Sequence, residues 1–227
     1  MIRGLLFDKD GTLLDMEATW GAWAVGALER LADGDRSRAR AMGGAIGIDA
    51  DTGAFDPDGP AVAGTLGEQA VLMAPFAGRG AAEIEDWLRA EAQHAVPELI
   101  AGPDLFTALH PRVLGVATND GEAAARSQLS RAGLGETFGF VAGYDSGHGA
   151  KPGPGMVLAF ASWAGLAPSE VAMIGDSEHD LRAARAAGAV AVAVLSGPIG
   201  RARLEPLADA VLDDIRALPG WLGAKAT

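Results

Sequence analysis

Short runs rich in Val, Ile, Leu and Phe recur along the chain at residues 2–7, 112–117, 138–142, 171–174, 190–195 and 210–212. Apolar residues at consecutive positions, without polar alternation, are the pattern of strands buried on both faces. From residue 118 onward, helical patterns fall between these runs at 121–132, 155–164 and 180–187, the last followed by Gly188 in a C-cap position. Strand and helix therefore alternate, which predicts an α/β fold: a doubly wound parallel sheet with helices on both faces. Roughly a hundred residues separate the first strand from the second, far more than a crossover needs, so a further unit is inserted there.

The insert, residues 16–97, reads as helical. Residues 19–31 place Trp20, Trp23, Ala24, Ala27, Leu28 and Leu31 near helical spacing, and residues 81–95 do the same with Ile84, Trp87, Leu88 and Ala92. Between them, residues 53–64 (GAFDPDGPAVAG) are turn-rich and are expected to form a non-helical loop. The expected organisation is a core built from residues 1–15 and 98–227, first strand central, with a helical cap domain at 16–97.

Composition narrows the chemistry. With 49% hydrophobic and 21% charged residues the chain can bury a core, and its formal net charge of −12 opposes binding to nucleic acid or to anionic lipid. The absence of cysteine removes thiolate nucleophiles, disulfides and Cys-ligated metals. The longest nearly apolar run, 186–195, is shorter than the ~20 residues that span a bilayer, and the charged start MIRGLLFDKDG does not read as a signal peptide. The expectation is a soluble cytoplasmic protein with a small-molecule substrate, no nucleic-acid partner and no membrane partner.

Four strand ends carry chemistry. Residues 5–14, LLFDKDGTLL, close the first strand with Asp8 and Asp10; alternation along a strand puts both on one side, at the carboxyl end where ligands of open α/β sheets bind, and turns Lys9 elsewhere. Two crowded carboxylates repel unless a cation sits between them, and Mg²⁺ is the simplest such cation. Residues 116–120, VATND, put Thr118 and Asn119 at the end of the second strand, where a hydroxyl, an amide and backbone N–H groups can hold phosphate oxygens. Residues 150–154, AKPGP, set Lys151 beside a helix start, one of only three lysines against 15 arginines. Residues 173–181, MIGDSEHDL, bring Asp176 to a strand end and Asp180 to the next helix, where an isolated Asp would ordinarily be a cap.

In order, DKDGTLLD, VATND, AKPGPGM and GDSEHDL resemble the four motifs of the haloacid dehalogenase-like hydrolase superfamily. The insert's position after the first motif is similar to the helical C1-type cap of its phosphoglycolate phosphatase-like branch. The resemblance implies that Asp8 is the nucleophile and Asp10 the general acid/base, and that Thr118, Asn119 and Lys151 bind the phosphoryl group. It implies that Asp8, Asp176 and the backbone carbonyl of Asp10 hold Mg²⁺, with Asp180 supporting the metal or orienting Lys151. The implied reaction is Mg²⁺-dependent hydrolysis of a small phosphomonoester through an aspartyl-phosphate, with phosphoglycolate the leading substrate and sugar phosphates and nucleotide monophosphates open.

Other readings share part of this pattern. A dehalogenase needs neither Asp10 nor a metal, and a phosphonatase of this superfamily uses a cap lysine, which residues 16–97 lack. A phosphomutase would share every core residue. A non-enzymatic phospho-acceptor or regulatory module would also join an Asp, a Thr and a Lys, but Asp10 should speed loss of its phosphoryl group. Trp20, Trp23, Arg79 and residues 53–64 are candidates for leaving-group contacts, although aromatic residues at helical spacing are more often core. The histidines, His94, His110, His148 and His179, show no metal-triad spacing and read as solvent-facing or capping.

Overall fold

The computed structural model describes residues 1–224; residues 225–227, the end of the expected core, lie outside the described residues. All six expected strands form: β1 (Gly4–Phe7), β2 (Val113–Ala117), β3 (Phe140–Ala142), β4 (Val171–Gly175), β5 (Val190–Val194) and β6 (Ala210–Leu212). They make one parallel sheet in the order β3-β2-β1-β4-β5-β6, so β1 lies between β2 and β4. The chain reverses its direction of growth at β1, and such a switch point opens a crevice at the carboxyl ends of the strands.

The helices, in chain order, are α1 (Met16–Leu31), α2 (Arg36–Ile46), α3 (Pro60–Ala63), α4 (Leu66–Ala77), α5 (Ala81–Ala92), α6 (Asp104–Ala108), α7 (Glu122–Arg131), α8 (Gly155–Ala164), α9 (Glu178–Ala187), α10 (Arg201–Leu204) and α11 (Leu218–Ala224). Every residue of β1 and β4 is buried, as their unbroken apolar runs require. One face of the sheet packs Phe7, Val116, Ile174 and Val192 against Phe106, Leu129 and Leu218; the other packs Leu6, Met173 and Ala191 against Phe160 and Leu181. Phe7, Phe106 and Phe138 meet edge to face at 5.3–6.1 Å between centroids.

Residues of α1, α2, α4 and α5 form a third apolar cluster of their own, including Leu28, Leu31, Met42, Met73, Ile84 and Leu88. Each such buried side chain is worth about 1.5–3 kcal/mol, which lets the insert hold its shape apart from the sheet. Two short extended segments join it to the core: Asp15 N–H donates to Glu98 O (2.8 Å), and Ile100 N–H donates to Leu13 O (3.0 Å). Asp15 also caps α1, accepting from Ala18 N–H at 2.9 Å.

The structure departs from expectation in the insert. The turn-rich stretch 53–64 contains α3, because Pro60 at its first position and Gly64 at its end make a one-turn helix compatible with that composition. Helices α2 and α4 fall within the insert read as helical, at places the sequence pattern did not delimit. Asp35 caps α2 through Ser37 and Arg38 N–H, and Thr65 and Glu68 form a capping box for α4. Helix α9 begins at Glu178, two residues earlier than expected, because Ser177 and Asp180 form a capping box there. Among the described residues, no helix is long and apolar enough to cross a membrane.

Candidate active site

Asp8 follows β1 directly, and its N–H donates to Ile174 O at 2.8 Å, extending the β1–β4 ladder by one residue and fixing the backbone there. Its carboxylate meets Lys151 Nζ at 2.7 Å. Lys151, in the loop before α8, also donates to Asp180 Oδ1 (2.6 Å) and to Ala117 O (2.9 Å). Oxygens of Asp8, Asp176 and Asp180 lie within 4.8 Å of one another, all three residues buried. Side chains from behind β1, before α8, after β4 and at the start of α9 thus reach one point.

The neighbours of these carboxylates distinguish their roles. Asp176 Oδ1 accepts from Thr12 Oγ1 at 3.2 Å. Asp180 uses both oxygens: Oδ1 on Lys151, Oδ2 on Ser177 N–H (3.1 Å) and Ser177 Oγ (2.6 Å). Asp180 thus contacts Lys151 and also belongs to the carboxylate trio, so both expected roles stay open to it. Gly11 adopts φ +75°, and a Cβ there would strike the Asp176 carboxylate, so the turn after Asp10 requires glycine.

Burial pushes the Asp8 carboxyl up to about 7, with Asp180 and Asp10 adding to the rise and Lys151 opposing it. Burial, together with Asp8 and Asp180, also raises Asp176 well above the usual carboxylate range. Burial would lower Lys151, but Asp180 and Asp8 more than offset it and hold the ammonium charged. Three acidic groups against one ammonium leave an excess of buried negative charge, and an all-oxygen donor set of this kind suits a hard divalent cation.

Asp10 sits apart from this trio. Its Oδ1 accepts from Trp20 Nε1 at 2.6 Å and its Oδ2 pairs with Lys9 Nζ at 2.7 Å. Asp10 and Asp8 nevertheless line the same cavity. Lys9 does turn away from Asp8, as alternation predicts, but folds back beneath Asp10. Fully buried, it donates to Gln128 Oε1 (2.6 Å), pairs with Asp120 Oδ2 (3.3 Å) and lies 5.0 Å from the Trp20 ring centre. Burial opposes the charge on Lys9, yet Asp10 and Asp120 raise its pKa above the usual value.

Thr118 is buried, lines the cavity, and accepts Asp120 N–H through Oγ1 (3.1 Å), which leaves its hydroxyl proton to donate. Asn119 also lines the cavity. Its Nδ2 donates to Ala63 O (2.8 Å) and Lys151 O (2.9 Å), while Oδ1 accepts Lys151 N–H (2.9 Å). Its amide thereby joins the Lys151 loop to α3. Arg79 pairs with Asp33 (3.1 Å) and does not line the cavity.

Several residues at the site were not singled out from the sequence: Lys9, Thr12, Asp120, Gln128 and Ser177. Lys9 carried a usable signal, as a rare lysine at the end of an apolar strand between two aspartates. Trp20 was a candidate contact and proves to touch Asp10. His179, expected to be peripheral, lines the cavity and places Nδ1 3.1 Å from Ala63 O.

Residues 2–188 match the family model described as haloacid dehalogenase-like hydrolase. The chain is 34% identical over 189 residues to a phosphoglycolate phosphatase of Rhodospirillum rubrum, covering 73% of this chain and 77% of that protein. Its fold is similar to that of a HAD phosphatase from Thermococcus onnurineus (TM-score 0.69, 21% identity, 98% of each chain). It is also similar to that of a beta-phosphoglucomutase from Clostridium difficile (TM-score 0.67, 18% identity, 99% of this chain and 97% of that one).

Proposed function

The chain belongs to the haloacid dehalogenase-like hydrolases and is a phosphatase of that family, and on that premise we propose that Asp8 is its nucleophile, Asp10 its general acid/base and Mg²⁺ its metal. The observation that carries this reading is the Asp8–Lys151 pair at 2.7 Å, set among Asp176 and Asp180 and opening on a cavity that Asp10 and Thr118 also line. We take residues 1–15 and 98–227 as the catalytic core and 16–97 as the cap. The relatives named phosphoglycolate phosphatase put phosphoglycolate first among the esters to try.

Asp8 and Asp176 would hold the cation with the backbone carbonyl of Asp10, while Asp180 keeps Lys151 in place. When bound, Mg²⁺ supplies positive charge that neutralises the phosphoryl oxygens and keeps Asp8 ionised. A carboxylate oxygen of Asp8 attacks phosphorus, forming the acyl-phosphate bond as the ester P–O bond breaks. Lys151 and the Thr118 hydroxyl bind the equatorial oxygens, where charge spreads in the loose transition state. Asp10 gives its proton to the departing alkoxide. In the second step water attacks phosphorus, Asp10 takes the water proton, and Asp8 leaves as carboxylate with inorganic phosphate released.

The test is phosphate release from a panel of monoesters, with and without Mg²⁺, for the wild type and two variants. Asp8→Asn should abolish turnover with an unchanged circular dichroism spectrum, and Asp10→Asn should lower it roughly 10²–10⁴-fold. Substantial activity in Asp8→Asn removes it as nucleophile.

A further inference from the structure

We infer that the ester hydrolysed here carries an uncharged, apolar alcohol; this rests on the reading of Asp8 as nucleophile and departs from the phosphoglycolate that the relatives' names put first. The cavity over the carboxylates has two unlike sides. Its floor is Asp8, Asp10, Thr118 and Lys151, and the facing wall supplied by the cap is Trp23, Ile48, Phe55, Val62 and Leu66, with Gln69 its amide. The leaving group of any phosphomonoester bound at Asp8 must lie against that wall.

Apart from the Gln69 amide, the side-chain donors beside the wall are engaged. Trp20 Nε1 is engaged by Asp10 (2.6 Å) and Trp23 Nε1 by Glu91 O (3.2 Å), so neither indole offers a donor to a substrate hydroxyl. His179 Nδ1 faces the Ala63 carbonyl, which only accepts, so the ring donates there. Lys151 is clamped between Asp8 and Asp180 on the floor, and Lys9 is sealed beneath Asp10.

No arginine of the cap compensates. Arg30 pairs with Glu91, Arg36 and Arg40 with Asp51, Arg79 with Asp33 and Arg89 with Glu85, while Arg38 donates to Phe76 O; none of them lines the cavity. A carboxylate on the leaving group would lose water against apolar side chains, gain no counter-charge from a cap arginine and face Asp10 and Asp120. A second phosphate, which a mutase must accommodate in turn at this wall, meets the same obstacle. A polyol would leave most of its hydroxyls unpaired. An apolar alcohol loses nothing on entering and gains burial against two aromatic rings.

The experiment compares kcat/KM for benzyl phosphate and phosphoglycolate, both of which release an alkoxide, at saturating Mg²⁺. The wild type should favour benzyl phosphate at least tenfold, and Gln69→Arg, which puts a cation on the wall, should lower that ratio at least tenfold. A wild type that prefers phosphoglycolate, or glucose 6-phosphate run beside it, overturns the inference, and loss of both activities in Asp8→Asn would then leave the hydrolase reading standing. Turnover of both esters that survives in Asp8→Asn, or no turnover of either by the wild type, removes that reading and the inference with it.

Discussion

Trp20 of α1 donates its indole N–H to Asp10 Oδ1 at 2.6 Å, tying the proposed acid/base of the core to a helix of the cap. Lys9 holds the other oxygen at 2.7 Å. With both oxygens accepting, Asp10 is oriented toward the cavity, and its position depends on where α1 lies.

Trp20→Phe keeps the ring and removes the donor. The lost hydrogen bond is worth up to about 1.5 kcal/mol, or roughly tenfold in rate. Because a nitrophenolate departs without a proton, kcat should fall about tenfold for alkyl monoesters and stay near the wild-type value for p-nitrophenyl phosphate. Equal losses on the two ester types would show that Trp20 acts on binding or folding and not through Asp10.

Lys9 is the second support of Asp10 and lies in a more demanding setting. Its fully buried ammonium is shared by Asp10, Asp120 and Gln128, and Gln128 Nε2 in turn donates to Ala92 O at the end of α5 (3.0 Å). Lys9→Met leaves the mostly buried Asp120 without its cation and should destabilise the protein by about 3–5 kcal/mol. Lys9→Met combined with Asp120→Asn should regain a large part of that loss. Urea unfolding of the two variants measures it; a double variant no more stable than the single one would mean that the Lys9–Asp120 pair is not the source.

How far this was readable from sequence follows from the range over which each signal acts. Strands β1 to β6 were legible because each is an apolar run buried on both faces, a local property. The carboxylates and Lys151 were legible because each sits at a strand end or helix start, where sheet topology gathers them. Helix α2 was hidden by its Arg-rich opening and by Gly43 and Gly44, and α4 by Gly67 and Pro75; tertiary packing of Met42 and Met73 stabilises both against weak propensity. The Trp20–Asp10 and Asn119–Ala63 contacts depend on how the cap docks, and Lys9–Asp120 on how the ends of β1 and β2 lie side by side, neither of which a local pattern encodes.

The cap turn α3 meets the core through the Ala63 carbonyl, which accepts from Asn119 Nδ2 (2.8 Å) and from the His179 ring (3.1 Å). Asn119 also holds the Lys151 loop, so His179 is the cleaner probe. His179→Ala removes one hydrogen bond of about 1 kcal/mol, so closure of α3 over bound ester should weaken. KM should rise roughly fivefold while kcat changes little. A fall in kcat at constant KM would instead place His179 in the chemical step.

Stability should report the cation independently of turnover. Burial raises Asp8 to about 7 and Asp176 well above its ordinary value, so the metal-free folded state keeps protons that the unfolded chain, with carboxyl groups near 4, has released. Stability from Asp8 is therefore fully present below about pH 4 and is lost as pH rises through about 7, where two buried carboxylates must ionise side by side. A divalent cation takes the place of those protons, and at low pH it must compete with them. Mg²⁺ should accordingly raise the melting temperature more at pH 8 than at pH 5.5, and Asp176→Asn should remove most of that difference. A Mg²⁺ shift of equal size at both pH values, or one that persists in Asp176→Asn, would place the ion elsewhere on this acidic protein.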